Sequence, residues 1–204
     1  MTKSNSGQAR RRQASRTRML EAAARLFAER GYEPTSIDEI AAEAGVVKGT
    51  FYYSFSGKEE LLLAVAARQS GEVGQEVARR TERGDKAVEI LACVLRRVAD
   101  WAQRNPKIAR AAYPVALRRG LEGKPRENVP SFRQLLTDIV ARGQQRGELR
   151  GDLPAHVLAV HLSMSYMTET LMWLVDGGKP SLRKRAERCL ELFLTGARAP
   201  GETK

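Results

Sequence analysis

Residues 45–55 read GVVKGTFYYSF and hold four of the chain's twelve aromatic residues, Phe51, Tyr52, Tyr53 and Phe55, within five positions. Around them stand Lys48, Gly49 and Thr50, so that an ammonium, a hydroxyl and two phenols share a short stretch with a residue that has no side chain. An ammonium can meet a phosphate or a guanine edge, and a threonine can donate to a phosphate or touch a thymine methyl. A phenol can lay its ring on a sugar and donate to a phosphate. Such a set is suited to a nucleic-acid surface rather than to breaking bonds. At about 100° per residue, Val47, Phe51 and Phe55 fall on one helical stripe, which leaves Tyr52 and Tyr53 near the surface. The two phenylalanines can then close a small core while the tyrosines meet a partner.

Several segments must position that stretch. Met19, Leu20, Ala23, Leu26 and Phe27 recur at helical spacing from about Arg16 to Arg30, and Gly31 offers a stop. Ser36 can cap a second helix, with Glu39 three residues on completing a capping box, and Ile37, Ile40, Ala41 and Ala44 lining its inner face. Gly45 ends that helix and a third begins about two residues later. A second capping box, Ser56 with Glu59, is expected to start a longer fourth helix. Helices are further predicted over about 58–82, 86–103, 106–119, 131–146, 155–175 and 181–197, divided by Gly84-Asp85, Asn105-Pro106, Gly120 to Pro130, Gly147 to Pro154 and Gly177 to Pro180. The expected fold is all-α, with about nine helices.

The order short helix, glycine turn, short helix is that of a helix-turn-helix, whose second helix enters the major groove. The run TSIDEIAAEAGVVKGTFYYSFSGKEELL, approached through LFAERGYEPTS, resembles the DNA-binding domain of the TetR family of transcriptional regulators over about residues 16–63. The resemblance makes Lys48, Gly49, Thr50, Tyr52 and Tyr53 the recognition-helix contacts, with Ser36 and Lys58 touching phosphates from the starts of the second and fourth helices. Two positions depart from the family's pattern: Val47 replaces a small polar residue, and Ser54 a larger His, Arg or Tyr. The expected domains are a mobile basic arm at 1–15, a helix-turn-helix domain at 16–60, and a larger helical effector-binding and dimerisation domain at 61–204. The implied function is a DNA-binding transcriptional regulator, a repressor released from a palindromic operator by a small-molecule effector.

Bulk charge does not locate the interface. The formal net charge of +11 divides into +6 over residues 1–18, −4 over residues 19–60 and +9 over the remainder. No apolar run reaches the roughly 18 residues of a membrane span, and no apolar stretch follows the polar N-terminus, so the expectation is a cytoplasmic protein without membrane partners. Cys93 and Cys189 have no paired spacing and read as small buried apolar residues.

A dimeric reader must space two recognition helices about 34 Å apart. The last two predicted helices are suited to fixing that distance. The segment 181–197 carries one apolar stripe, and 155–175 is apolar nearly all round with Glu169 its only formal charge. Leu158, Leu162, Leu190, Phe193 and Leu194 are the candidate homodimer contacts, in a two-fold four-helix interface that the resemblance also implies. For the unidentified effector the candidates are Trp101, Tyr113, Phe132, His161, Met164, Tyr166, Met167 and Trp173, which supply large or adaptable walls, with Glu169 as a carboxylate that needs a partner. Neither a cofactor nor a metal is expected: His156 and His161 are five apart and lack metal-ligand spacing. Nor is there a Ser-His-Asp set or a phosphate-binding glycine loop. The competing readings are an all-helical enzyme with a basic surface, and an architectural DNA-binding module that works without an effector.

Overall fold

Good helix formers fill the intervals between glycine and proline breaks. The computed structural model accordingly has nine α-helices among its described residues, 3–122 and 132–197. These are α1 (Lys3–Glu29), α2 (Ile37–Glu43), α3 (Lys48–Ser54), α4 (Lys58–Glu82), α5 (Ala87–Arg104), α6 (Pro106–Leu121), α7 (Phe132–Gln145), α8 (Ala155–Val175) and α9 (Leu182–Ala197). The expected break from Gly120 to Pro130 falls mainly on residues 123–131, outside the described residues. No helix among the described residues is long and apolar enough to cross a membrane.

Two local expectations change. The stretch expected as a mobile arm is helical from Lys3, because its Gln, Ala and Arg residues favour helix and can extend the turns already nucleated beyond Arg16. The expected Ser56–Glu59 capping box is replaced by a contact with Glu60: Ser56, two residues before the helix, donates its N–H and its hydroxyl to the Glu60 carboxylate, at 2.6 and 2.7 Å. The helix starts at Lys58, so Glu60 occupies the third helical position that reaches back, and Glu59 is left to pair elsewhere.

The chain divides into two compact units, residues 1–68 with 105–123 and residues 69–104 with 124–204. In the first unit α1 packs on α2, α3 and α6 around Met19, Ala22, Ala23, Phe27, Ile40, Phe51 and Phe55. α6 joins this unit by burying Ile108, Ala109 and Ala112, and by two polar ties. Lys107 donates to the Glu29 carbonyl at 2.6 Å, and Arg118 grips both Glu59 carboxylate oxygens at 2.6 and 2.7 Å.

In the second unit α7 and α9 flank α8, and α5 packs on α7 and α9. Gly143 lets α7 approach the start of α5 closely: a Cβ there would lie 2.8 Å from Ala87 Cβ and 2.9 Å from Leu149 Cδ1. Cys93 and Cys189 are free thiols, both buried, and burial pushes Cys189 up to about 11. The candidate homodimer contacts lie mostly inside this unit. Leu158, Leu162, Leu190 and Leu194 are buried within the single chain, and Phe193 is half-buried. The most apolar stripe of each helix is already used between α7, α8 and α9. What remains open is Met164, Met172 and Val175 on one face of α8, with Leu192 on α9.

Candidate nucleic-acid interface

The surface centred on α3 is built from the first unit's core outward. Ser36 is the N-cap of α2: its hydroxyl accepts from the Glu39 N–H at 3.2 Å and donates to the Glu39 carboxylate, which also accepts the Ser36 N–H. Those bonds, led by the Ser36 N–H, hold the Glu39 carboxyl below its ordinary range. Gly45, at φ +63°, makes the left-handed turn between α2 and α3, a conformation a Cβ would strain. Val47 caps α3 without a side-chain hydrogen bond.

Within α3 the aromatics divide as their spacing predicts. Phe51 and Phe55 are buried, with ring centroids 5.7 Å apart, while Tyr52 is 53% and Tyr53 65% exposed. The Phe51 and Tyr52 rings meet edge to face with their centroids 5.4 Å apart, so the buried ring braces the exposed one. A Cβ on Gly49 would touch nothing, so internal packing does not demand a glycine there. Thr50 is half-buried. Lys48 is exposed, and its ammonium lies 2.9 Å from Asp38, a contact that raises its pKa.

Lys58 and Ser36 sit differently from the expectation that they touch phosphates. The Lys58 ammonium donates to the carbonyls of Tyr32, Glu33 and Thr35 at 2.9, 3.2 and 3.0 Å, and stands 4.3 Å from the Tyr32 ring centroid. An ammonium has three N–H donors, and all are occupied. A phosphate accepts but does not donate, and the single hydroxyl proton of Ser36 goes to Glu39. Both side chains therefore fix the loop between α1 and α2.

Sequence reasoning missed the bracing by α1. Arg16 donates to the Ser54 carbonyl at 2.6 Å and stands 4.1 Å from the Phe55 ring centroid, and Arg12 lies 4.7 Å from that of Tyr53. The signal was present: Arg12 and Arg16 are four residues apart, on one helical face.

The effector candidates are dispersed. Tyr113 lies on α6, in the first unit. In the second, Phe132 and Tyr166 have ring centroids 5.9 Å apart, and Tyr166 and Trp173 are buried. Trp101 and Met167 are half-buried. His161 and Met164 lie on the exposed face of α8 and line no interior there. Glu169 has found its partners in Arg185 and Arg188, each at 3.3 Å. Among the described residues no group of three His, Cys, Asp or Glu side chains could hold a metal ion.

Comparison with known proteins agrees with this geometry. A family model described as bacterial regulatory proteins, tetR family, matches residues 19–65. The fatty acid metabolism regulator protein of Bacillus subtilis is 26% identical over 182 residues, covering 87% of this chain and 93% of its own. The transcriptional repressor AcnR of Corynebacterium diphtheriae is 29% identical over 197 residues, covering 90% and 92%. Among solved structures, FadR of Thermus thermophilus, a TetR family transcriptional repressor in complex with lauroyl-CoA, superposes with a TM-score of 0.74 at 27% identity, over 93% of this chain and all of that one. Residues 19–65, which hold the helix-turn-helix, thus carry the DNA-binding domain of the TetR family of transcriptional regulators, and over its length the chain is similar to regulators of that family.

Proposed function

We propose that this regulator is a repressor that binds a palindromic operator as a homodimer and leaves it when a small amphiphilic anion of the fatty acyl-CoA class binds. The observation that carries the DNA reading is the division of α3: Phe51 and Phe55 are buried, while Tyr52 and Tyr53 stand exposed beside Lys48, Gly49 and Thr50. Major-groove reading needs such a helix, held rigidly from below and furnished with donors above. The open position at Gly49 admits a close approach by a duplex. Base and phosphate contacts are assigned to Lys48, Gly49, Thr50, Tyr52 and Tyr53, and a positioning role to Ser36 and Lys58.

The homodimer is assigned to the face formed by Met164, Met172, Val175 and Leu192, which stays exposed among the described residues. Met172→Glu with Leu192→Glu is expected to give a monomer by analytical ultracentrifugation and to lose operator affinity. The effector class rests on the acyl-CoA held by the solved relative, and the buried Phe132, Tyr166 and Trp173 supply apolar surface suited to an acyl chain. A ligand of this kind acts by its difference in affinity between the operator-bound and free forms.

The test selects bound fragments from random duplex DNA with the full chain, then titrates lauroyl-CoA, coenzyme A and laurate against the selected site. A shared two-fold sequence, released by lauroyl-CoA and not by the two fragments, is the expected result. Fragments with no common sequence would overturn the operator reading; a common site indifferent to all three ligands would overturn the effector class.

A further inference from the structure

The proposed reading surface is poor in positive charge that could neutralise a duplex. Residues 19–60 carry a net −4, Lys48 is held by Asp38, and the Lys58 donors are all taken by carbonyls. Double-stranded DNA presents one negative charge per about 1.7 Å of axis, and its affinity for proteins comes largely from phosphate neutralisation. The cations must come from a neighbouring element.

The first turns of α1 are placed to supply them. Arg10, Arg11 and Arg12 project from exposed helical positions, and the first acidic residue of the chain is Glu21. No carboxylate among the described residues pairs with these three arginines. Two contacts tie this part of α1 to the recognition helix. Arg16 donates to the Ser54 carbonyl, the C-terminal end of α3, where a cation also meets the negative end of the helix dipole. One turn earlier, the Arg12 guanidinium lies over the Tyr53 ring while most of that ring stays open. At 1.5 Å per residue, the helix from Lys3 to Arg12 extends about 14 Å beyond that anchor point.

We propose that the N-terminal part of α1 is a second DNA-contacting element, in which Arg10 and Arg11 bind backbone phosphates beside the groove that α3 enters, and Arg12 holds the Tyr53 ring in its reading position. The proposal rests on the DNA-binding reading. It divides the labour: α1 supplies the sequence-independent attraction, α3 the choice of bases, and Arg12 couples the two. Arg16, half-buried against Phe55, braces the fold and is not counted among the phosphate contacts.

The test uses the full chain and the site selected above. Each phosphate contact contributes about 0.9 to the slope of log affinity against log salt. Arg10→Gln with Arg11→Gln should therefore lower the slope by about 1.8, and the wild-type advantage over this variant should shrink about 12-fold between roughly 50 and 200 mM salt. Arg10→Lys with Arg11→Lys should keep the slope, which separates charge from any effect on folding. Arg12→Gln should relax base preference at the same positions as Tyr53→Ala, and the two changes together should do little more than either alone. An unchanged slope in the double glutamine variant, or an equal loss in the double lysine variant, overturns the phosphate role. Unaltered base preference in Arg12→Gln overturns the coupling. If selection returns no common site, the operator reading fails by itself, and the arginine variants are scored on a generic duplex, where the same slopes decide.

Discussion

Neighbouring aromatics on α3 should respond to truncation in opposite ways. Phe51 is fully buried and Tyr52 is 53% exposed, although their rings touch. Phe51→Ala removes a large side chain from a small core; burying about 200 Å² of aromatic surface at about 25 cal/mol per Å² is worth ~5 kcal/mol. Core phenylalanine truncations cost about 3–5 kcal/mol, in agreement. Tyr52→Ala forfeits the edge contact with Phe51, about 0.5–1.5 kcal/mol, and little else that is buried. The two variants should thus differ by at least about 1.5 kcal/mol, roughly 13-fold in the folded-to-unfolded ratio. The assay must see the first unit, and both tryptophans, Trp101 and Trp173, lie in the second. Native-state hydrogen exchange of the α1–α3 amides is therefore the stability measure, with fluorescence anisotropy on selected and generic duplexes for binding. Phe51→Ala should speed exchange throughout α1–α3 and weaken binding to both duplexes. Tyr52→Ala should keep protection and generic binding but lose preference for the selected site. Equal loss of protection in the two variants, or Tyr52→Ala with undiminished preference, would refute the division of roles.

Lys58→Met should remove three donors from carbonyls and destabilise the first unit by about 1–3 kcal/mol, while the salt slope of DNA binding stays at the wild-type value because the ammonium meets no phosphate. Gly143→Ala should cost about 1–3 kcal/mol in urea unfolding followed by tryptophan fluorescence, since its Cβ would lie within 3 Å of Ala87 and Leu149. Acid should weaken the fold by an assignable route. Hydrogen bonds from Ser36 depress Glu39; burial raises Glu60, but Ser56, Arg16 and Arg119 outweigh it and leave it low. Both groups thus have folded pKa values below their unfolded ones, so their stabilisation is complete above about pH 5 and is lost as pH falls through the lowered values. Urea midpoints at pH 7, 4.5 and 3 should fall in that order, and less steeply in Ser36→Ala. Cys189, raised to about 11 by burial, should resist alkylation at pH 8 in the native protein and react once denatured; rapid native labelling would contradict its burial.

Local signals were legible because their physics is local. The Ser36–Glu39 box spans three residues, Gly45 announces its own turn, and the 3.6-residue period separates Phe51 and Phe55 from Tyr52 and Tyr53. What stayed hidden depends on partners far along the chain. The carbonyls that hold Lys58 lie 23 to 26 residues away, and Arg118 meets Glu59 across 59 residues. Helix α8 is apolar nearly all round, so its composition says that it needs cover but not where the cover lies. Only the placement of α7 and α9 turns Leu158 and Leu162 inward and leaves Met164, Met172 and Val175 outside. The helical arm was misread for a related reason: a polar, apolar-poor sequence argues against a core, yet helix needs none when it extends one already formed.

Because α6 belongs with α1–α3 while the chain on either side of it belongs to the other unit, the DNA-reading head is encoded by two separated stretches. A head cut after residue 68 would lack Ile108, Ala109 and Ala112 against α1 and the clamp of Arg118 on Glu59, leaving apolar surface bare and a carboxylate without its arginine. Exchange of operator specificity between relatives is thus not a single-crossover event. A chimaera of two such regulators would carry matched residues 105–123 along with the first 68, or confine the graft to the exposed positions of α3.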